Sequence, residues 1–138
     1  MTRRLTRAQD GRPAAPIRIV HLGLGNFFRA HEAMYTERAS DADAWGIAAF
    51  TGRSTAMAEA MAAQDGLYEL IVQNPEGNEY EVISSISATH SGSDVATFVG
   101  YLADPAVVIV SSTITEAGYL PGAEGGIDLT NAAVQADI

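Results

Sequence analysis

Two glycines stand one residue apart in IRIVHLGLGNFFRAHEAMY, residues 17–35. Gly23 and Gly25 follow a short Ile/Val-rich run and precede a run with apolar residues at helical spacing. A turn from a parallel strand into a helix is an anion-binding device. Gly23 permits the tight turn, and Gly25 lets a pyrophosphate approach the backbone. Two glycines alone also suit a purely structural turn, so both readings stay open at this point. The candidate contacts are Gly23, Leu24, Gly25, Asn26 and Phe27. Phe28 stands where a third small residue would allow close helix–strand packing. Its bulk either wedges the helix away from the strand or sits outward beside a ligand, and the second option makes it a candidate as well. Arg29 follows in the first helical turn, placed either for a phosphate or as an ordinary solvated residue.

The next chemistry-bearing positions lie at the ends of later strands. An acidic residue about 20 positions beyond the glycine turn would bind ribose hydroxyls. The corresponding stretch, AAFTGRST (48–55), contains no Asp or Glu. Thr51 and Arg53 are the candidates there. Arg53 suits a 2′-phosphate or stacking on adenine, and reads equally well as a surface arginine, so the choice between NAD and NADP stays open. Ser112 and Thr113 close the apolar run AVVIVSST, and ligands of open α/β sheets bind outside such strand ends. Glu116 and Tyr119, a few residues on, read either as contacts near a nicotinamide or a domain junction or, preferably, as loop anchors, with Glu116 capping backbone N–H groups and Tyr119 packing. His21, His31 and His90 lack metal-ligand spacing and cysteine is absent, so no metal site is expected.

The elements that must position these residues follow from periodicity. Residues 17–23 and 45–50 read as buried strands, and 106–113 as the strongest buried strand of the chain. Helices are predicted over 26–41, 54–64 and 92–105, with a short one beginning near Thr130. Residues 66–90 read as two extended runs around NPEGN, a hairpin. This alternation predicts an α/β fold: a Rossmann-like, doubly wound, mainly parallel sheet with an inserted β-hairpin, truncated relative to a full dinucleotide domain. Residues 1–16, Arg-rich and broken by proline, read as a flexible tail ahead of a partial domain over 17–138. Apolar residues make up 47% of the 138, a globular composition, and the formal charge of −9 argues against a nucleic-acid partner. The sequence offers neither a secretory signal nor a membrane span, so a cytoplasmic location is expected.

Four stretches, in order, carry a resemblance. VHLGLGNFFRAH (20–31) resembles the G-x-G-x-F-x-R-A-H signature of the mannitol dehydrogenase family, the polyol-specific long-chain dehydrogenases. AQDGLY (63–68) resembles its Q-D-x-L-Y segment. VSSTITEAGY (110–119) resembles its V-S-x-T-x-T-E-x-G-Y block, and DLTNAAVQADI (128–138) its D-L-x-N stretch. In that signature the marked residues are Phe27 and Arg29, and Phe28 falls at a variable position.

The resemblance implies an oxidoreductase that moves hydride between NAD(H) or NADP(H) and a sugar alcohol, keto-sugar or uronate, without a metal. It places the family's catalytic lysine, with nearby Asn and His, in a second, mostly helical domain. All eight basic residues here are arginines, so this stretch holds no such lysine, and no catalytic residue is assigned. The expectation is the cofactor-binding N-terminal part of such an enzyme, not turning over alone, with the polyol or keto-sugar substrate bound only in a longer protein. The competing expectation is a standalone nucleotide-binding module or an inactive interaction remnant of the same fold.

Overall fold

Ile19 and His21 alternate with Val20 and Leu22 along the first strand, so a strand here needs cover on both faces. The computed structural model describes residues 4–52 and 54–138, and all side chains among them except those of residues 116, 117 and 137. Strand β1 (Ile17–Leu22) leads through the glycine turn into α2 (Asn26–Ala30) and α3 (Glu32–Glu37), preceded by a one-turn helix α1 (Arg7–Asp10). Then come β2 (Gly46–Phe50), α4 (Ala56–Ala62), β3 (Tyr68–Asn74), β4 (Gly77–Ile83) and β5 (Ile86–His90). The chain continues through α5 (Val95–Ala103), β6 (Ile109–Ser112) and α6 (Ala132–Asp137). The main sheet has the order β5-β2-β1-β6, and every pair in it is parallel. Strands β3 and β4 form a separate antiparallel hairpin.

The two faces of the sheet carry two cores. Ile19, Ile47 and Ala49 pack on one face with Phe28, Ala33, Met61, Tyr68, Ile83 and Ile86. Val20, Ala48 and Phe50 pack on the other, against Phe98 and Tyr101 of α5. Helix caps are visible at α5, where the Asp94 carboxylate accepts from the Thr97 N–H at 3.1 Å, and at α6, where Asn131 accepts from Ala133 at 2.9 Å.

Four expectations need correction. The helix expected over 26–41 breaks at His31, whose φ of −124° and ψ of −82° are not helical. The extended stretch 66–90 contains three strands, because its second run bends at Ser84–Ser85. There the Ser84 N–H donates to Glu37 at 2.7 Å and the Ser85 hydroxyl to the Ala33 carbonyl at 2.7 Å. These bonds from α3 turn the chain out of the hairpin and into the main sheet. The run AVVIVSST, expected to be buried, supplies the edge strand β6, with Val108, Ile109 and Val110 all about half exposed. Finally, the segment expected to be a flexible tail is, from Arg7 onward, bonded to the body. All five guanidinium donors of Arg7 end on carbonyl oxygens: Asp65, Arg12, Pro13, Ser84 and Ile86. Arg12 pairs with Asp10 and Glu37 and donates to the Val82 carbonyl.

One buried cluster ties three elements together. His21 is fully buried on β1 and stacks on Phe28 with ring centroids 3.8 Å apart. Its Nδ1 lies 2.8 Å from Ser111 Oγ and 3.2 Å from Glu32 Oε2, and its Nε2 lies 3.2 Å from Thr113 Oγ1. The Ser111 hydroxyl donates to Glu32 Oε1 at 2.7 Å. Burial by itself would raise the Glu32 carboxyl, but the hydrogen bonds from His21 and Ser111 outweigh it and hold its pKa below the ordinary value.

Two outcomes follow. Arg7→Ala removes five charge-assisted bonds and is expected to lower stability by about 2 kcal/mol, read from urea unfolding; an unchanged midpoint would return the segment to the status of a loose tail. Glu32 has a depressed folded pKa, so its contribution is present above the ordinary carboxyl value of about 4.5 and fades as pH falls below it. The stability gap between the native chain and Glu32→Gln is therefore expected to be full at pH 7 and to shrink on acidification from about pH 4.5. A gap that stays constant from pH 7 to pH 3 would show that the pairing contributes nothing.

Candidate functional site

The chain runs from β1 outward through β2 to β5 on one side, then returns to place β6 on the other side of β1. The strand order therefore reverses between β1 and β6, the position where open α/β sheets form ligand crevices. A cleft of about 810 Å³ opens there, lined by Gly23, Leu24, Gly25, Asn26, Phe27, Gly52, Ser112, Thr113, Ile114, Thr115 and Tyr119. None of these residues is charged.

The glycine turn is held from both neighbouring strands. The N–H groups of Gly23 and Leu24 both donate to the Phe50 carbonyl of β2 at 2.9 Å. On the β6 side, the Thr113 N–H donates to Leu22 at 2.9 Å and the Thr113 hydroxyl to the Gly23 carbonyl at 3.0 Å. Gly23 has a φ of +112°, and a Cβ on it would fall 2.5 Å from Thr113 Oγ1. Gly23 is thus required by the backbone and its neighbour. Gly25 differs: a Cβ there would meet only the Gly23 carbonyl at 3.7 Å, and at Gly52 nothing within 4 Å. These two glycines keep space open rather than permit a turn.

Of the residues singled out in the sequence, Gly23, Leu24, Gly25, Asn26, Phe27, Ser112 and Thr113 come together in the cleft. Phe28 does not. It is fully buried against His21, between α2 and β1, and does not sit outward beside a ligand. The close packing that a small residue would allow is replaced here by a ring stack. Arg29 is tied back along α2: its Nη2 donates to Asn26 Oδ1 at 2.5 Å, and its guanidinium lies 5.8 Å from the centre of the Tyr68 ring. Thr51 is buried and accepts from the Gly92 N–H at 3.3 Å, joining the ends of β2 and β5 outside the cleft lining. Arg53 and the Glu116 side chain lie outside the described residues.

Four lining residues were not among the candidates: Gly52, Ile114, Thr115 and Tyr119. Gly52 lies between two residues that were chosen, and Ile114 and Thr115 directly follow two others, so the strand-end rule extended by one or two positions finds three of them. Tyr119, expected as a packed anchor, is 65% exposed and faces the cleft. The segment AQDGLY makes structural contacts. Asp65 and Gly66 both take positive φ, a Cβ on Gly66 would fall 2.1 Å from the Ile86 carbonyl, and the Tyr68 hydroxyl donates to the Arg29 carbonyl at 2.5 Å. Among the described residues no cluster of three His, Asp or Glu side chains could hold a metal ion, and no helix is long and apolar enough to cross a membrane.

Comparison with known proteins agrees with this geometry. The chain is 43% identical to a polyol:NADP oxidoreductase of Gluconobacter oxydans (strain 621H), over 87% of this chain and 26% of that protein. It is 36% identical to a mannitol 2-dehydrogenase of Cereibacter sphaeroides, over 99% of this chain and 30% of that protein. The crystal structure of a D-sorbitol dehydrogenase in substrate-free form superposes with a TM-score of 0.78 at 37% identity, covering 98% of this chain and 32% of that one. The chain thus spans between a quarter and a third of the length of these relatives. The family model for the mannitol dehydrogenase Rossmann domain matches residues 17–136, and the chain belongs to that family.

Proposed function

We propose that this chain binds a nicotinamide dinucleotide in the β1/β6 cleft, as the cofactor-binding part of an NAD(P)-dependent oxidoreductase acting on a sugar alcohol, keto-sugar or uronate. The observation that carries this reading is the open backbone wall at Gly25 and Gly52, set at the reversal of strand order in a cleft whose described lining residues include no carboxylate. A wall of bare backbone admits a bulky anionic ligand closely. The residues that would hold the dinucleotide are Gly23, Leu24, Gly25, Asn26 and Phe27 on the turn, Ser112 and Thr113 at the end of β6, and Gly52. Arg29 would act by bracing the turn, since it bonds Asn26 and Gly25. Thr51 would fix the β2 loop, and Arg53 remains a proposed phosphate or adenine contact. Phe28 would support the site only from within the core.

When bound, the dinucleotide supplies or accepts the hydride. The chain's own residues bind, orient and exclude water. Proton transfer at the substrate hydroxyl needs a base, and this chain holds no lysine for the family's usual arrangement. We therefore expect cofactor binding without turnover by these 138 residues alone. A second reading, an interaction remnant, draws on the half-exposed apolar edge strand β6.

Calorimetric titration with NAD⁺ and NADP⁺ separates the two. Saturable binding of either at or below millimolar concentration supports the dinucleotide reading; none, in a chain that self-associates, supports the remnant. Two glycine variants sharpen the test. Gly25→Val leaves an ordinary φ and clear space for its Cβ, so it is expected to fold normally while weakening dinucleotide binding at least tenfold. Gly23→Ala is expected instead to destabilise the fold by roughly 1–3 kcal/mol, because it strains φ and collides with Thr113. Undiminished binding by Gly25→Val would move the ligand out of this cleft.

A further inference from the structure

Phe27 poses a problem that its cleft position does not solve. It lines the cleft, yet it is 67% exposed. A phenylalanine so exposed is free to exchange rotamers and makes a poor binding wall. Its ring, however, stacks on His31 with centroids 4.2 Å apart and planes 24° from parallel. The same imidazole reaches the Phe27 backbone: Nδ1 lies 2.8 Å from the Phe27 carbonyl oxygen. A carbonyl has no proton to give, so Nδ1 carries the hydrogen and donates it. The ring of Tyr35 meets His31 edge-on, with centroids 6.4 Å apart. Phe27, His31 and Tyr35 thus form an exposed ladder with a spacing of four residues, across the break between α2 and α3. His31 does not line the cleft, so any effect it has on a ligand passes through Phe27.

We propose that His31 is a positioning residue that holds the Phe27 ring as a fixed wall of the cleft, presenting an apolar planar face to a planar heteroaromatic ring of the ligand. The inference rests on the dinucleotide reading above and deepens it. One side chain engages both ends of Phe27, its ring by stacking and its backbone by a hydrogen bond, which is what makes the pose stiff despite the exposure. The free-energy value of one aromatic pair sets the scale, a change in affinity of about three- to tenfold.

A double-mutant cycle on the 138-residue chain tests it, with NAD⁺ and NADP⁺ as probes and calorimetry as the readout. Phe27→Ala is expected to weaken binding about tenfold and His31→Ala about threefold. Adding His31→Ala to Phe27→Ala is expected to change nothing further, because the histidine then has no ring to hold. His31→Tyr, which keeps a ring for stacking but loses the hydrogen bond to the Phe27 carbonyl, is expected to bind less tightly than the native chain and more tightly than His31→Ala. Both residues are exposed, and far-UV circular dichroism with thermal melting checks that each variant keeps the native fold. Saturable binding by the native chain with an equal loss from His31→Ala in both backgrounds overturns the positioning role, as does a His31→Ala variant that binds like the native chain. Failure of the native chain to bind either nucleotide overturns the dinucleotide reading and this inference with it, and is distinguishable because it precedes any variant.

Discussion

A buried imidazole imposes a demand that no apolar residue makes: each of its two nitrogens must find a partner away from water. His21 sits at the centre of the parallel sheet with no exposure, and the rest of the site follows from how its demand is met. Glu32 of α3, Ser111 of β6 and Thr113 beyond β6 all converge on the one ring, while Phe28 covers its face. Meeting the demand therefore joins the central strand to the returning strand and to the helix after the glycine turn. Thr113 serves twice, bonding His21 below and the Gly23 carbonyl above. The shape of the turn thus depends on a strand that arrives some 90 residues later in the chain.

That dependence explains why the glycines are not equivalent. Gly23 is squeezed between its own left-handed backbone and Thr113, so its role is steric and internal. Gly25 and Gly52 face empty space and keep the cleft wall low. The third position of the common glycine pattern, usually small so that helix and strand approach, is here filled by Phe28. The fold uses that bulk as a lid over His21 and spends no small residue there. The fingerprint is a different packing solution to the same geometry, and the cleft remains at the reversal of strand order.

Local pattern carried much of the architecture. The parallel sheet, the inserted hairpin, a capped helix within 92–105 and a short helix near Thr130, and most of the cleft lining were legible from periodicity, turn residues and strand ends. The misreadings share a cause. Valine-rich β6 reads as buried because its side chains are apolar, but burial depends on a neighbour outside the strand, and here β6 ends the sheet. The segment from Arg4 to Pro16 reads as loose because it is polar, but the five carbonyls that Arg7 collects are contributed by stretches up to 79 residues away. The bend at Ser84–Ser85 is invisible to periodicity because the chain is extended on both sides of it. What turns it is Glu37 and Ala33 of a helix.

By itself the sequence determined the alternation of strands and helices, the glycine turn, the family and the absence of lysine from these 138 residues, because each is a property of neighbouring residues or of ordered short patterns. Only the tertiary structure decided that Phe28 turns inward onto the cluster of His21, Glu32, Ser111 and Thr113, that Tyr119 faces the cleft and that β6 lies at an edge. Those outcomes are set by contacts between residues far apart in the chain. A side chain's direction there depends on which buried polar group or ring it must satisfy, and composition and spacing do not record that.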